Sequence, residues 1–205
     1  LPHAITLGGP GFLEEGLAGG RAVGSGALVL DLVGMNGAVL GRAARAGLGD
    51  RWVAGAPILV TSETGLGASR ADRLQGVEVV LSAGDAVPVP AQERAAAFWR
   101  SLGMRTTWMD PRDADARVAW TVLLPQMISN ALAGALHAAG VPRGDLGPEV
   151  EGMVTLAATE PRRWEALLEA ASPTVGTGMG SVQRALRVVG DLLARREVDR
   201  VVEFR

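Results

Sequence analysis

The chain is 205 residues long, with 48% hydrophobic and 20% charged residues, enough to bury a core in one large or two small domains. Its 20 basic and 22 acidic residues leave a net charge of -2, which argues against the basic surface that nucleic-acid binding calls for. There is no Cys, no Tyr and no Lys, and His occurs only at positions 3 and 137, which excludes disulfides, cysteine-ligated zinc, thiol nucleophiles, Schiff-base lysines and a P-loop lysine, and disfavours a His-based metal site.

The first half alternates short apolar runs with helical patterns. Residues 4–7 form a brief apolar run followed by Gly8, Gly9, Pro10 and Gly11. Residues 27–33 read as a buried strand stopped by Gly34. Residues 38–46 have helical spacing and end at Gly47, and residues 52–54 lead into Gly55-Ala56-Pro57. A strand is expected at 77–81. A helix over 91–102 puts Ala95, Phe98, Trp99 and Leu102 on one face, with Gly103 at its C′ position. A last strand covers 105–109. This order predicts an α/β layer with a largely parallel sheet.

The pattern changes after Asp110-Pro111, an N-cap followed by a proline tolerated at N1. A long apolar helix is predicted from there to residue 139, kinked at Pro125. Helical segments follow at 149–158, 162–171 and from Ser172-Pro173 to residue 197, the Ser-Pro pair again fitting N-cap then N1; residues 198–204 read as a strand. The expected domains are 1–109 and 110–205. About 18 apolar residues free of charge or glycine never occur in a row, and no basic, then apolar, leader is seen. The expectation is a cytoplasmic protein without a membrane span.

Several segments, in order, resemble the prephenate/arogenate dehydrogenase family. Asp31-Leu-Val-Gly-Met-Asn-Gly37 stands where the family has D-V-x-S-V-K-G. Ala56-Pro57-Ile58, Ser62-Glu63 and Ser69-Arg-Ala-Asp-Arg-Leu-Gln-Gly76 resemble its H-P-M, G-S-E and A-R-A-D-L-F-x-G stretches. Ala114-Asp115 and Thr121-Val-Leu-Leu-Pro-Gln126 resemble its H-D pair and S-H-L-P-H, and Thr155-Leu-Ala-Ala-Thr-Glu-Pro-Arg-Arg-Trp164 its R-I-A-x-S-x-P-x-x-W. The resemblance implies a reduced Rossmann-like α/β domain followed by an all-helical domain that forms a homodimer, with a substrate pocket between the domains.

The departures fall on the family's working residues. Its catalytic histidine is replaced by Ala56, the histidines around L-P by Val122 and Gln126, the histidine of H-D by Ala114, the carboxylate-binding arginines by Glu151 and Thr155, and the lysine by Asn36. A buried dicarboxylate without cationic partners is costly, and Glu151 would add repulsion. Gly9-Pro10-Gly11-Phe12-Leu13-Glu14 resembles G-x-G-x-x-G with Glu in place of the third glycine. The strand before it is either the family's first or its fourth. On either reading no complete dinucleotide site is expected, so no cofactor and no metal is assigned.

Glu63, after Thr61 and Ser62 at a strand end, reads as a general base or anchor, or as a solvated turn residue. Glu151 reads as an acid that burial would tune, or as an exposed residue. Thr61, Ser62, Trp120, Gln126, Asn130 and Thr155 are the substrate-binding candidates. Gln126 and Asn130 share a helix face and either orient a substrate or bond each other. His137 reads as a helix C-terminal residue. Gly176-Thr-Gly-Met-Gly180 points to close helix approach or a break in the helix. The expected function is a cofactor-independent enzyme guiding a cyclisation, cycloaddition or rearrangement of a hydrophobic intermediate in specialised, polyketide-like metabolism, the Arg/Ala/Gly bias suggesting a GC-rich, actinobacterial genome. The alternatives are a non-catalytic partner subunit and a truncated dehydrogenase.

Overall fold

The computed structural model describes residues 3–6, 27–32, 34–57, 70–161 and 164–204. The chain divides into two compact units, Leu1–Val118 and Ala119–Arg205. The expected boundary near Asp110 thus lies eight residues early, because the helix that follows it packs on the sheet of the first unit.

The first unit is a five-stranded sheet in the order β1 (His3–Thr6), β2 (Leu28–Asp31), β3 (Trp52–Pro57), β4 (Glu78–Ala83), β5 (Arg105–Trp108). All neighbours are parallel except β3 and β4, where Val53 lies opposite Ala83 and Pro57 opposite Val79. After β3 the chain continues outward to β4. Had β1 been the first strand of a 3-2-1-4-5-6 sheet, the fourth strand would have returned to its side. The order agrees with the fourth-strand reading.

Alternate residues of the strands face opposite layers, as a period of two requires. Leu28, Leu30, Val53, Val79 and Leu81 pack against Ala95, Ala96 and Trp99 of α2 (Val89–Ser101). Val29 and Trp52 pack on the other face against Val39 and Ala43 of α1 (Asn36–Arg45). An ideal Cβ on Gly55 would lie 2.9 Å from Leu81 Cδ2 and 3.4 Å from Trp99 Nε1, so glycine lets α2 approach the sheet. Gly103 follows α2 with φ +82°, the left-handed position that its sequence place predicts. Asp110 Oδ1 accepts the N–H of Arg112 at 2.8 Å and opens α3 (Pro111–Val118) as the expected N-cap.

The second unit is helical. A π-helical turn, Ala119–Leu123, precedes α4 (Leu124–Ala138). Pro125 has no N–H for the carbonyl one turn back, and the helix accommodates this by widening just before it. After α5 (Pro148–Val154) and a 3-10 turn over Thr155–Ala158, α6 runs unbroken from Glu165 to Ala194. Ser172-Pro173 therefore does not start a helix; Pro173 lies inside α6, where burial of Ala171 and Val175 one turn apart outweighs the missing N–H. Residues 198–202 form α7 (Val198–Val202), not the expected strand. Val198 is 57% exposed and pairs with no strand, and without a partner β-propensity decides little. By length and composition the helical stretch Pro111–Ala138 could cross a membrane, unlike the sequence expectation; 28% of its apolar window is buried, including Leu123, Leu124, Gln126 and Ser129.

Candidate functional site

The helical unit holds most of the candidate residues that are described. Gln126 is 5% exposed; its Nε2 donates to Asn130 Oδ1 at 2.9 Å and to the Leu156 carbonyl at 2.7 Å. Beside it the Ala157 N–H donates to buried Ser129 Oγ at 3.0 Å. These bonds pin α4 to the 3-10 turn after α5. Both Gln126 amide hydrogens are used internally, so it cannot present them to a ligand without breaking the turn.

Glu151 is exposed on α5, so the burial its acid role called for is absent. Thr155 is also exposed, and its Oγ1 donates to the Glu151 carbonyl at 2.6 Å. Trp120 is 47% exposed on the π turn, while its ring edge would meet a Cβ on Gly178 at 3.6 Å. Leu124 Cδ2 would meet the same Cβ at 3.0 Å. Gly178 thus serves close helix approach, as its sequence suggested, whereas Gly176 faces open space. His137 is exposed in the last turn of α4. Thr61, Ser62 and Glu63 lie outside the described residues, as does the glycine segment 9–14.

The sheet unit holds a buried polar cluster that the sequence reading missed as a cluster. Asn36 (2% exposed) donates through Nδ2 to Ser82 Oγ at 2.8 Å, and Ser82 donates to the Met109 carbonyl at 2.9 Å. Asp31, 1% exposed, shares a register with Ser82 through Ala54 between them. The Asp115 carboxylate, half-buried on α3, accepts the backbone N–H groups of Asn36 at 2.5 Å and Gly37 at 2.9 Å. Met35 precedes α1 and offers no side-chain cap, so Asp115, 79 positions after Asn36, fills that role. Asp31 and Ser82 each stand as a polar residue beside buried aliphatic ones in a strand, a signal that could have marked them, but nothing local connects Asp115 to α1.

Ligand crevices of open α/β sheets form where strand order reverses. Among the described strands the order runs from β1 to β5 without reversal, so these residues do not build a dinucleotide crevice. Among them, too, no group of three or more His, Asp or Glu residues is placed to hold a metal.

No protein-family model matches the chain, and no curated protein matches it either. Solved structures do. Prephenate dehydrogenase from Aquifex aeolicus, in complex with hydroxyphenyl propionate and NAD+, superposes with a TM-score of 0.88 at 20% identity, covering 98% of this chain and 72% of that one. Synechocystis arogenate dehydrogenase superposes with a TM-score of 0.79 at 18% identity, covering 98% and 73%. The chain therefore has the prephenate/arogenate dehydrogenase fold, a reduced Rossmann-like sheet followed by helices.

Proposed function

We propose that this protein uses that fold without redox chemistry, as a cofactor-independent enzyme guiding a cyclisation, cycloaddition or rearrangement of a neutral, hydrophobic intermediate in specialised, polyketide-like metabolism. One observation carries the reading. Positions that the resemblance gives to catalytic histidines and carboxylate-binding arginines hold Ala56, Val122, Gln126, Glu151 and Thr155, and the one among them seen to be buried, Gln126, is spent on internal hydrogen bonds. A substrate bearing two carboxylates would find no cation at these positions. An apolar intermediate needs none, and its reaction gains chiefly from being held in a reactive shape.

A second reading, a non-catalytic partner subunit, is favoured by the apolar side chains that the helical unit leaves exposed. Leu186 (64%) and Leu193 (54%) on α6 and Val202 (75%) on α7 are of this kind. They also support a homodimer formed through this unit.

The test uses the purified protein. Calorimetry with NAD+ and assays with prephenate and arogenate are expected to show neither binding nor turnover; positive results in both would overturn the proposal. Consumption of a polyketide-like intermediate without a change in mass supports the enzyme. Absence of any turnover, with a stable complex with a biosynthetic enzyme, supports the partner subunit.

A further inference from the structure

Asn36-Gly37 at the start of α1 is the only Asn-Gly pair in the chain, and the sequence has no Asp-Gly pair. An Asn-Gly pair carries a reaction of its own. The glycine nitrogen can attack the side-chain carbonyl carbon of the residue before it, since no Cβ blocks the approach. At this pair a bond would form from Gly37 N to Asn36 Cγ and the Cγ–Nδ2 bond would break, ammonia leaving with the Gly37 proton. Water would then open the cyclic imide at either carbonyl, giving aspartate or isoaspartate at position 36.

The folded chain opposes this step at each reacting atom. The attacking nitrogen is held: Gly37 N–H donates to Asp115 Oδ2 at 2.9 Å, and a deprotonated nitrogen there would face a carboxylate. The same carboxylate accepts the Asn36 N–H through Oδ1 at 2.5 Å, so both amides of the first turn are fixed to α3. The leaving group is held: Asn36 Nδ2 donates to Ser82 Oγ at 2.8 Å, and Ser82 donates to the Met109 carbonyl at 2.9 Å. Attack at Cγ would place negative charge on Asn36 Oδ1, which is buried and has no hydrogen-bond donor to stabilise it. Asn36 and Ser82 are 2% and 0% exposed, which keeps water from the imide.

We propose that Asn36-Gly37 is a self-modification site, a deamidating pair guarded by Asp115 of α3 and Ser82 of β4 and released when the first turn of α1 opens. The change would be one-way. Its product lacks the Nδ2 donor that Ser82 accepts and adds a carboxylate beside that of Asp115, and isoaspartate also lengthens the main chain inside the first turn. The α1–β4–α3 tie could not re-form as it was. This inference stands apart from the proposed reaction.

Peptide mapping by mass spectrometry tests it on the full chain at mildly alkaline pH, with isoaspartate at position 36 as the marker. Conversion in native buffer should run at least about tenfold slower than in the same chain unfolded in urea. Asp115→Ala, folded by circular dichroism, should convert at least about threefold faster than wild type. Gly55→Ala, which crowds the opposite face of the sheet, should stay within about twofold of wild type, because it leaves the first turn of α1 closed. Equal rates in the native and unfolded chain, a folded Asp115→Ala that converts at the wild-type rate, or a Gly55→Ala that speeds conversion as unfolding would, overturns the proposal. Wild type and Gly55→Ala decide the matter even where Asp115→Ala does not fold.

Discussion

Gln126 and Asn130 hydrogen-bond each other at 2.9 Å along one face of α4, and Gln126 also holds the Leu156 carbonyl. The pair that sequence spacing offered as a substrate anchor is thereby a clasp within the helical unit. Gln126→Leu removes the donor shared by the half-buried Asn130 oxygen and the carbonyl of exposed Leu156, which water can partly replace. A loss of about 0.5–1.5 kcal/mol in urea unfolding is expected. Loss of turnover with unchanged stability would instead make Gln126 a substrate group.

The glycines of α6 should separate by what surrounds them. A Cβ at Gly176 meets nothing within 4 Å, so Gly176→Ala is expected to stabilise by about 0.5–1 kcal/mol through helix propensity. At Gly178 the new Cβ meets Leu124 at 3.0 Å, and the gain is offset by crowding. Thermal unfolding of the two variants should therefore rank Gly176→Ala above wild type and Gly178→Ala below Gly176→Ala. Equal melting temperatures would show that the helices do not approach closely there.

Gly55→Ala brings a Cβ to within 2.9 Å of Leu81 in the central sheet. Neither the strand backbone nor the buried Leu81 and Trp99 side chains have free room, so a cost of about 1–3 kcal/mol is expected in denaturant unfolding.

Glu78 should contribute to acid sensitivity in the ordinary direction. A hydrogen bond from Thr107, and then one from Arg117, hold its carboxyl below the usual range. Its folded value lies below its unfolded one, so the stability it adds is present above the ordinary carboxylate value and is lost as pH falls through the depressed value. Glu78→Gln should flatten the fall in stability below about pH 4. Because the pair is partly exposed, the change at neutral pH should stay under about 1 kcal/mol. An unchanged acid slope would remove Glu78 from this account.

Glu151→Gln should alter neither stability, beyond about 0.5 kcal/mol, nor any turnover found, because the side chain is exposed. A large drop in rate would return Glu151 to the acid–base candidates.

Much of the fold was legible locally. The strands at β2 and β4, the α1 and α2 helices, Asp110 as an N-cap and Gly103 with its positive φ follow from side-chain periodicity and terminal chemistry, which act within a few residues. The misreadings arose where local signals met tertiary packing. Ser172-Pro173 has the chemistry of a helix start, but Ala171 and Val175 are buried on a common face and the helix runs through. Val198 and its neighbours have strand composition but no strand beside them.

The site divides in the same way. By itself the sequence determined that Ala56, Val122, Gln126, Glu151 and Thr155 stand where the family resemblance implies histidine or arginine, because that depends only on residue identity and order. Only the tertiary structure decided that Gln126 turns inward to Asn130 and Leu156, that Glu151 stays in solvent, and that Asp115 caps a helix begun 79 residues earlier. A hydrogen-bonding group takes whichever partner folding brings within about 3 Å, and that choice is made by the packing of whole elements rather than by neighbours in the chain.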